Sequence, residues 1–530
     1  MDSSAPPKSD DNAQSTVHHE VVDTESTIKP PVGGDVAAQL IAGQQIVVTE
    51  EDNKRICRKT DKHILTILVW VYFLQILDKS VLGYGAIFGL RDDCNLVGSQ
   101  YSAVGSMSAI AQLVWLPFSS WLIVKVPHRI LMPILIFGWG TAQTCMAACN
   151  GFASLMATRF FLGLFEAACL PLFSVITSQW YRRAEQPMRV ACWYSTNGFA
   201  NMFAAALSFG LEQINGTLPS WRILFLFVGL ITVITAPVVW WFMDNDIATA
   251  RFLTEEERLM GIERLRANQT GTGSRKFKWS QALEALLEIK TWLFIAMGLT
   301  LNVSAMVTNI FGPLIIGGFG FAPGPTALLN IPFGAVQVLI ILPASYLAYR
   351  FRIKSVFLAV IMLPVLAGTI MLYLLPRDNI APLFAAYYML AFLFGGNPLI
   401  VSWMIPNIGG ATKKSVILSL FNIGVSAGNI IGPLLFSTDD APEYRPGLEK
   451  TMGITCALLA SIGLQVINIY YLNKMQERKR VRNGKPAKIH DLSMEHRYEN
   501  RVMEEDGEQL GQNAFMDLTD SKNDEFVYLY

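Results

Sequence analysis

The sequence predicts an all-α membrane protein, with twelve transmembrane helices in two six-helix halves and both termini in the cytosol. Three observations lead there. The 530 residues are 52% hydrophobic and only 16% charged, against roughly 25% charged in soluble domains. Apolar stretches long enough to cross a hydrocarbon core, about 20 helical residues each, recur between Leu65 and Leu472. A polar segment at 244–290 then divides those stretches six and six.

Residues 1–60 are rich in Ser, Asp, Glu, Pro and Gln, and no apolar run follows Met1. A disordered cytosolic tail without a cleavable signal peptide is expected. The first half, 61–243, carries spans at 65–84, 101–124, 130–149, 152–177, 190–212 and 222–243. In the central loop, 244–290, Thr254 and Glu257 have capping-box spacing, and Leu259, Ile262 and Leu265 recur at helical intervals. That pattern predicts a short amphipathic helix. The second half, 291–473, carries spans at 291–316, 326–349, 355–375, 382–406, 415–436 and 451–472. The tail at 474–530 opens basic and turns acidic through Glu504, Glu505, Asp506 and Glu508, and reads as solvated. Its basic part can rest on anionic lipid.

Orientation follows from the short loops, because Lys and Arg concentrate on the cytosolic side. With twelve alternating helices, Arg58/Lys59/Lys62, Lys125/Arg129, Arg182/Arg183/Arg189, Arg350/Arg352/Lys354, Lys413/Lys414 and Lys474/Arg478/Lys479/Arg480 fall on one side. The sequon at Asn215 falls on the other and is a glycosylation candidate; the one at Asn268 falls inside.

Several function classes recede. With 42 Lys+Arg against 42 Asp+Glu, no basic footprint for nucleic acid exists. Seven cysteines form no CxxC array, so no metal or disulfide scaffold is expected; Cys145 and Cys149 read as packing residues. No Ser-His-Asp, Walker or metal-ligand constellation is visible, so neither an enzyme nor a cofactor is expected.

An ionisable side chain in the bilayer costs several kcal/mol unless it faces a cavity or a partner. Away from the span ends only Asp78, Lys79, Arg159 and Glu166 are charged. None of the six histidines lies in a span, so a buried proton carrier must be a carboxylate. Arg159 and Glu166, seven residues apart, share a helix face about 10 Å apart along the axis. The depths of Asp78 and Arg159 in the first and fourth spans coincide, so Asp78, Lys79 and Arg159 are expected around one central site, with Glu166 deeper. An anion on Lys79 and Arg159 would neutralise the charges that keep Asp78 and Glu166 ionised, and linkage makes anion and proton binding cooperative. The competing reading is two structural ion pairs, Asp78 with Lys79 and Arg159 with Glu166. Asn302, Asn309, Asn397, Asn407, Asn422 and Asn429 supply uncharged polarity in the second half. Asn422 and Asn429 are candidates for substrate binding or for helix packing alongside Gly424, Gly428 and Gly432. Tyr84, Tyr101 and Gln112 are secondary candidates, with interfacial aromatic roles equally open to the tyrosines.

Leu77-Asp78-Lys79 with Leu82-Gly83-Tyr84, the run RFFLGLFEAACLP from Arg159, the loop WRILF…RFLTEEERL and the segment GNIIGPLLFSTDDAPEYRPGL from Gly428 together resemble the major facilitator superfamily. More closely they resemble its anion:cation symporter group, of the fungal allantoate permease type, over about residues 55–480. The resemblance implies proton coupling at Asp78 and Glu166, anion binding at Lys79 and Arg159, and alternating access by rocking of the halves. Departures are the helix two–three loop, here WLIVKVPHR, and Tyr349-Arg350 where Asp-Arg is common. Lys79 also stands where many relatives carry Arg, which gives a point charge in place of a bidentate fork. The expected function is proton-driven import of a small organic anion, an allantoate-like ureido-carboxylate or a vitamin acid, by a plasma-membrane monomer whose partners are substrate, protons and lipid. The alternatives are an anion exchanger or exporter on an internal membrane, and a non-transporting nutrient sensor.

Overall fold

The computed structural model describes residues 48–489 and 517–530, apart from 88, 98–99, 213–217, 267, 269–276, 318–322, 377–379 and 436–444. Its principal elements are the helices α1 (Glu50–Thr60), α2 (Thr66–Ile87), α3 (Gln100–Lys125), α4 (His128–Met146), α5 (Phe152–Glu166), α6 (Cys169–Trp180), α7 (Gln186–Glu212) and α8 (Ser220–Phe242). After them come α9 (Glu255–Arg266), α10 (Trp279–Leu287), α11 (Ile289–Gly317), α12 (Pro323–Phe351), α13 (Lys354–Leu374), α14 (Ile380–Met389), α15 (Gly396–Met404), α16 (Ala411–Leu434) and α17 (Arg445–Arg482).

Among the described residues nine helices are long and apolar enough to cross a membrane. The three other expected spans lie on α4, α7 and α11. Large apolar side chains such as Ile234, Leu339, Leu363 and Leu464 are exposed along these helices, as a surface solvated by acyl chains requires.

Two spans are broken, for a local reason. A proline cannot donate to the carbonyl four residues back, and its ring crowds that carbonyl. Pro171 does this to Ala167, and α5 ends at Glu166 before α6 restarts at Cys169. Pro398 does it to Phe394, within the tightened turn Leu390–Gly395 between α14 and α15. The first break leaves Glu166 at the end of a half-helix.

Helices approach closely where glycine removes the Cβ. On α16, a Cβ at Gly424 would meet the Ile295 carbonyl oxygen at 2.9 Å, and one at Gly428 that of Leu299 at 2.6 Å. Here the Gly424/Gly428 stripe serves packing of α16 on α11. Between the halves, α7 meets α12 backbone to backbone at Gly198 and Gly334. Further toward the face that carries both tails, the Ser415 hydroxyl donates to the Ser120 carbonyl at 3.0 Å, and the Ser119 and Ser419 hydroxyls lie 3.5 Å apart. The halves are therefore in contact at that face, which the distribution of Lys and Arg assigns to the cytosol.

The loop helix appears as α9, Glu255–Arg266. Its capping box is present: the Glu257 N–H donates to the Thr254 hydroxyl at 3.3 Å, and the Thr254 N–H to the Glu257 carboxylate at 3.1 Å. Ile262 and Leu265 are buried. The expected disorder is corrected over residues 50–60, which form α1, while residues 1–47 lie outside the described residues. Thr49 and Asp52 form a capping box of their own, Ile56 is fully buried, and Lys59 reaches Glu257 at 2.7 Å. The second tail is corrected in the same sense: α17 runs on to Arg482, and residues 517–530 dock on the face that carries α1 and α9, with Asp520 fully buried between Lys290 and Lys413. The acidic run expected to be solvated, Glu504, Glu505, Asp506 and Glu508, lies outside the described residues, and the later acidic residues Asp517, Asp520, Asp524 and Glu525 pair with lysines.

Between the two tails, Arg264 is buried against Glu185, and Arg189 pairs with Asp61 at 2.9 Å. Burial alone would push the Glu185 carboxyl up, but Arg264, Arg189 and Arg182 outweigh it and hold it below the usual carboxylate range. A carboxylate with a depressed folded-state pKa adds stability that is present above its unfolded pKa and lost as pH falls through the folded one. Glu185→Gln would strand Arg264, and breaking one side of such a buried pair costs about 3–5 kcal/mol. Thermal unfolding in detergent should show a lowered Tm for the variant at pH 7, with the gap to the wild type closing at acid pH. Equal Tm values at pH 7 would sink this account.

Candidate functional site: the buried charges of the first half

Three of the four charges of the first-half spans, Asp78, Arg159 and Glu166, are buried and Lys79 is exposed, and they do not pair as adjacent residues would suggest. Consecutive positions on a helix point about 100° apart, so Asp78 and Lys79 on α2 face different neighbours. Asp78 is 2% exposed and accepts a 2.9 Å hydrogen bond from the indole N–H of Trp139 on α4. Its Oδ1 has no hydrogen-bond partner among the described residues. Lys79 instead crosses to the end of α5, where its Nζ lies 2.8 Å from Glu166 Oε1.

That pair is asymmetric. The Lys79 side chain is 41% exposed while that of Glu166 is 2% exposed, so the ammonium lines an open space and the carboxylate backs it. The other oxygen, Oε2, accepts from the Gln112 amide on α3 at 2.9 Å. Gln112 in turn accepts, at 3.4 Å, from the Ser426 hydroxyl on α16. An ion pair and two hydrogen bonds thus connect Lys79, Glu166, Gln112 and Ser426, and the last link joins the two halves.

Arg159, two turns into α5, is the fourth charge and is 2% exposed. Its guanidinium atoms Nε and Nη2 have no hydrogen-bond partner among the described residues. Glu166, Tyr101 and Asp78 lie within its electrostatic reach. Among the described residues the expected structural pairs, Asp78 with Lys79 and Arg159 with Glu166, are therefore replaced by a crossed pair and by a guanidinium with two unpartnered nitrogens. Tyr101 also donates to the Leu82 carbonyl at 3.4 Å.

The uncharged candidates fare differently. Asn422 turns back into its own helix, donating to the Leu418 carbonyl at 2.8 Å. Asn429, two turns on, is only partly buried. Asn302 on α11 and Asn397 on α15 bond to each other at 3.2 Å, and Asn407 binds segment 517–530. The backbone of Tyr84 is helical, while its side chain lies outside what is described; Asn215 and the Asn309 side chain lie there too. A census of charges misses neutral partners: Trp139, Ser426, and the fully buried Gln143 and Gln337, both amides of which lack partners among the described residues. The available signal for them was a polar side chain inside an apolar run. No cluster able to hold a metal occurs among the described residues.

Residues 68–433 match the family described as Major Facilitator Superfamily. The Thiamine pathway transporter THI73 of Saccharomyces cerevisiae is 31% identical over 499 residues, 93% of this chain and 90% of that one. An uncharacterized transporter of Schizosaccharomyces pombe is 31% identical over 93% of this chain and 90% of its own. The Allantoate permease of Saccharomyces cerevisiae is 27% identical over 92% of this chain and 88% of its own. Among solved structures, the human organic anion transporter MFSD10 shares the fold at a TM-score of 0.54 and 12% identity, covering 76% of this chain and 99% of that one. Relatives matched over nearly their full length are fungal transporters, and with a family match across most of the apolar region the chain, a multi-pass integral membrane protein, belongs to the Major Facilitator Superfamily.

Proposed function

We propose that this transporter imports a small organic anion together with protons across the plasma membrane, by alternating access of two six-helix halves, 61–243 and 291–473, around the Lys79, Arg159 and Glu166 site. The observation that carries this reading is Arg159. A guanidinium stays charged, and burying it with two nitrogens unpartnered is costly. A carboxylate ligand would supply the missing acceptors, and its fork geometry suits them. The neighbouring Lys79 offers a second cation, already partly open.

The coupling lies in the Lys79–Glu166 pair. A substrate carboxylate that takes Lys79 leaves Glu166 as a buried charge without its counter-ion, and uptake of a proton relieves that state. Protonation first, in turn, releases Lys79 for the substrate. By linkage each event favours the other by the same factor. Asp78, buried and held by the Trp139 indole, is the second proton site. The Gln112–Ser426 link lets the state of Glu166 act on α16 of the opposite half.

The name of the allantoate permease points to ureido-carboxylates, and that of the thiamine pathway transporter to vitamin-related compounds. The test is uptake into proteoliposomes of labelled allantoate, ureidosuccinate, nicotinate and pantothenate, with thiamine as a cationic comparator, with and without an inward proton gradient. One anion should accumulate with the gradient. Gradient-indifferent uptake by the wild type would refute symport.

For Glu166→Gln the expected outcome is loss of gradient-driven accumulation, with exchange of labelled for unlabelled substrate retained; a variant that still concentrates substrate would clear Glu166 of the role. For Arg159→Gln, loss of charge-assisted bonds worth about 1.5–3 kcal/mol should raise the apparent KM about 10–100-fold, and an unchanged KM would remove Arg159 from the binding site.

A further inference from the structure

Segment 517–530 is bound at the cytosolic face as a peptide is bound in a groove. Asp517 starts it: its carboxylate accepts from the Ala411 N–H at 2.7 Å, at the N-terminus of α16, and pairs with Lys278 at 2.7 Å. Its carbonyl accepts from the Gln281 amide at 2.9 Å. Three residues on, the fully buried Asp520 takes Lys290 at 2.5 Å and Lys413 at 2.8 Å, and accepts from the Gly409 N–H at 3.2 Å and the Tyr528 hydroxyl at 2.8 Å. Burial alone would push its carboxyl up, but the two ammonium groups hold it well below the usual carboxylate range.

The far end of the segment is read by side-chain amides in the manner of a neighbouring strand. Asn407 accepts from the Leu529 N–H at 2.7 Å and donates to its carbonyl at 3.0 Å. Asn473 does the same for Tyr528, at 2.9 Å in both directions. Trp403 adds a 2.8 Å bond to the Leu529 carbonyl. These partners all belong to the second half or to the loop leading into it.

One part of the segment crosses to the first half. The fully buried Phe526 ring lies 4.3 Å beneath the Arg183 guanidinium, which also donates to the Val527 carbonyl at 3.2 Å. Arg183 sits in the turn between α6 and α7, and its N–H is fixed by Asn268 at 3.0 Å. These contacts lie on the same side as the Ser415–Ser120 and Ser119–Ser419 contacts that close the halves.

We infer that segment 517–530 is an intramolecular latch: an acidic, aromatic peptide held in a second-half groove by Lys290, Lys413 and Asn407, which clasps Arg183 of the first half and stabilises the cytosol-closed state. It rests on the alternating-access reading. Opening to the cytosol separates Arg183 from Phe526 and Val527, so the segment must release one half before the substrate leaves. The groove contacts outnumber those to Arg183, so the segment stays with the second half when the gate opens.

The test needs no substrate, so its outcome is separate from that of the uptake experiment. Inside-out vesicles carry the full chain with Ser415→Cys, and labelling by a membrane-impermeant maleimide is measured against the same chain without that substitution. Deletion of 517–530 should raise the labelling rate of the introduced thiol about tenfold, as expected for loss of one or two bonds to a charged group. A synthetic peptide of residues 517–530 should restore protection. Should the truncated chain fail to elute as a monodisperse species, Phe526→Ala combined with Asp520→Asn in the full-length chain provides the same readout. A folded chain, truncated or doubly substituted, that labels at the parent rate overturns the latch.

Discussion

A charge in hydrocarbon or in a protein interior must find an opposite charge, a set of dipoles or water, and the cost of failing is several kcal/mol. The layout of this molecule follows from that constraint at three depths. In the middle of the first half it brings Lys79 across to Glu166 and sets the Trp139 indole on Asp78. At the cytosolic rim it pairs Arg264 with Glu185 and Arg189 with Asp61, fastening the first span, the α6–α7 turn and the loop helix into one layer. Beneath the second half it draws Asp520 in between Lys290 and Lys413. Arg159 is buried, and among the described residues it has no ion pair and its Nε and Nη2 lack hydrogen-bond partners.

The polar centre depends on interruptions in otherwise regular helices. Pro171 ends α5 at Glu166, which frees the carboxylate from a continuous helical wall and lets it meet groups from both α2 and α3. Glycines do complementary work where helices touch. Gly428 seats α16 against α11, and Gly198 with Gly334 brings α7 and α12 into backbone contact between the halves. Contacts made by backbone and small side chains carry few long interdigitating groups, whereas the salt bridges of the rim fasten elements within each half and its neighbouring loop.

The Glu166 network and the contacts between the halves share a helix. α16 begins beside Asp517 and Asp520, carries Ser415 and Ser419 to the first half, and presents Ser426 to Gln112 at the level of Glu166. Under the proposed mechanism, a change of charge at Glu166 and a change of occupancy in the segment groove act on one helix, at its middle and at its start. This gives coupling between them a physical route, through a helix whose position both sites bias.

Much of this was legible in the residues. Low charge and recurrent apolar runs settle the membrane class, because hydrocarbon tolerates few other compositions. The Thr254/Glu257 box foretells α9, since a cap is a local interaction among neighbours in sequence. Asp78, Lys79, Arg159 and Glu166 stand out as charges where charges are costly. What the chain could not disclose was pairing: which face of α2 meets α4 and which meets α5, that Asn422 folds back on its own helix while Asn407 reads a distant backbone, and that acidic residues near the end of the chain return to lysines more than a hundred positions earlier. Composition and period fix what a segment must bury, but the partner that satisfies it is chosen only when helices far apart in sequence are packed together.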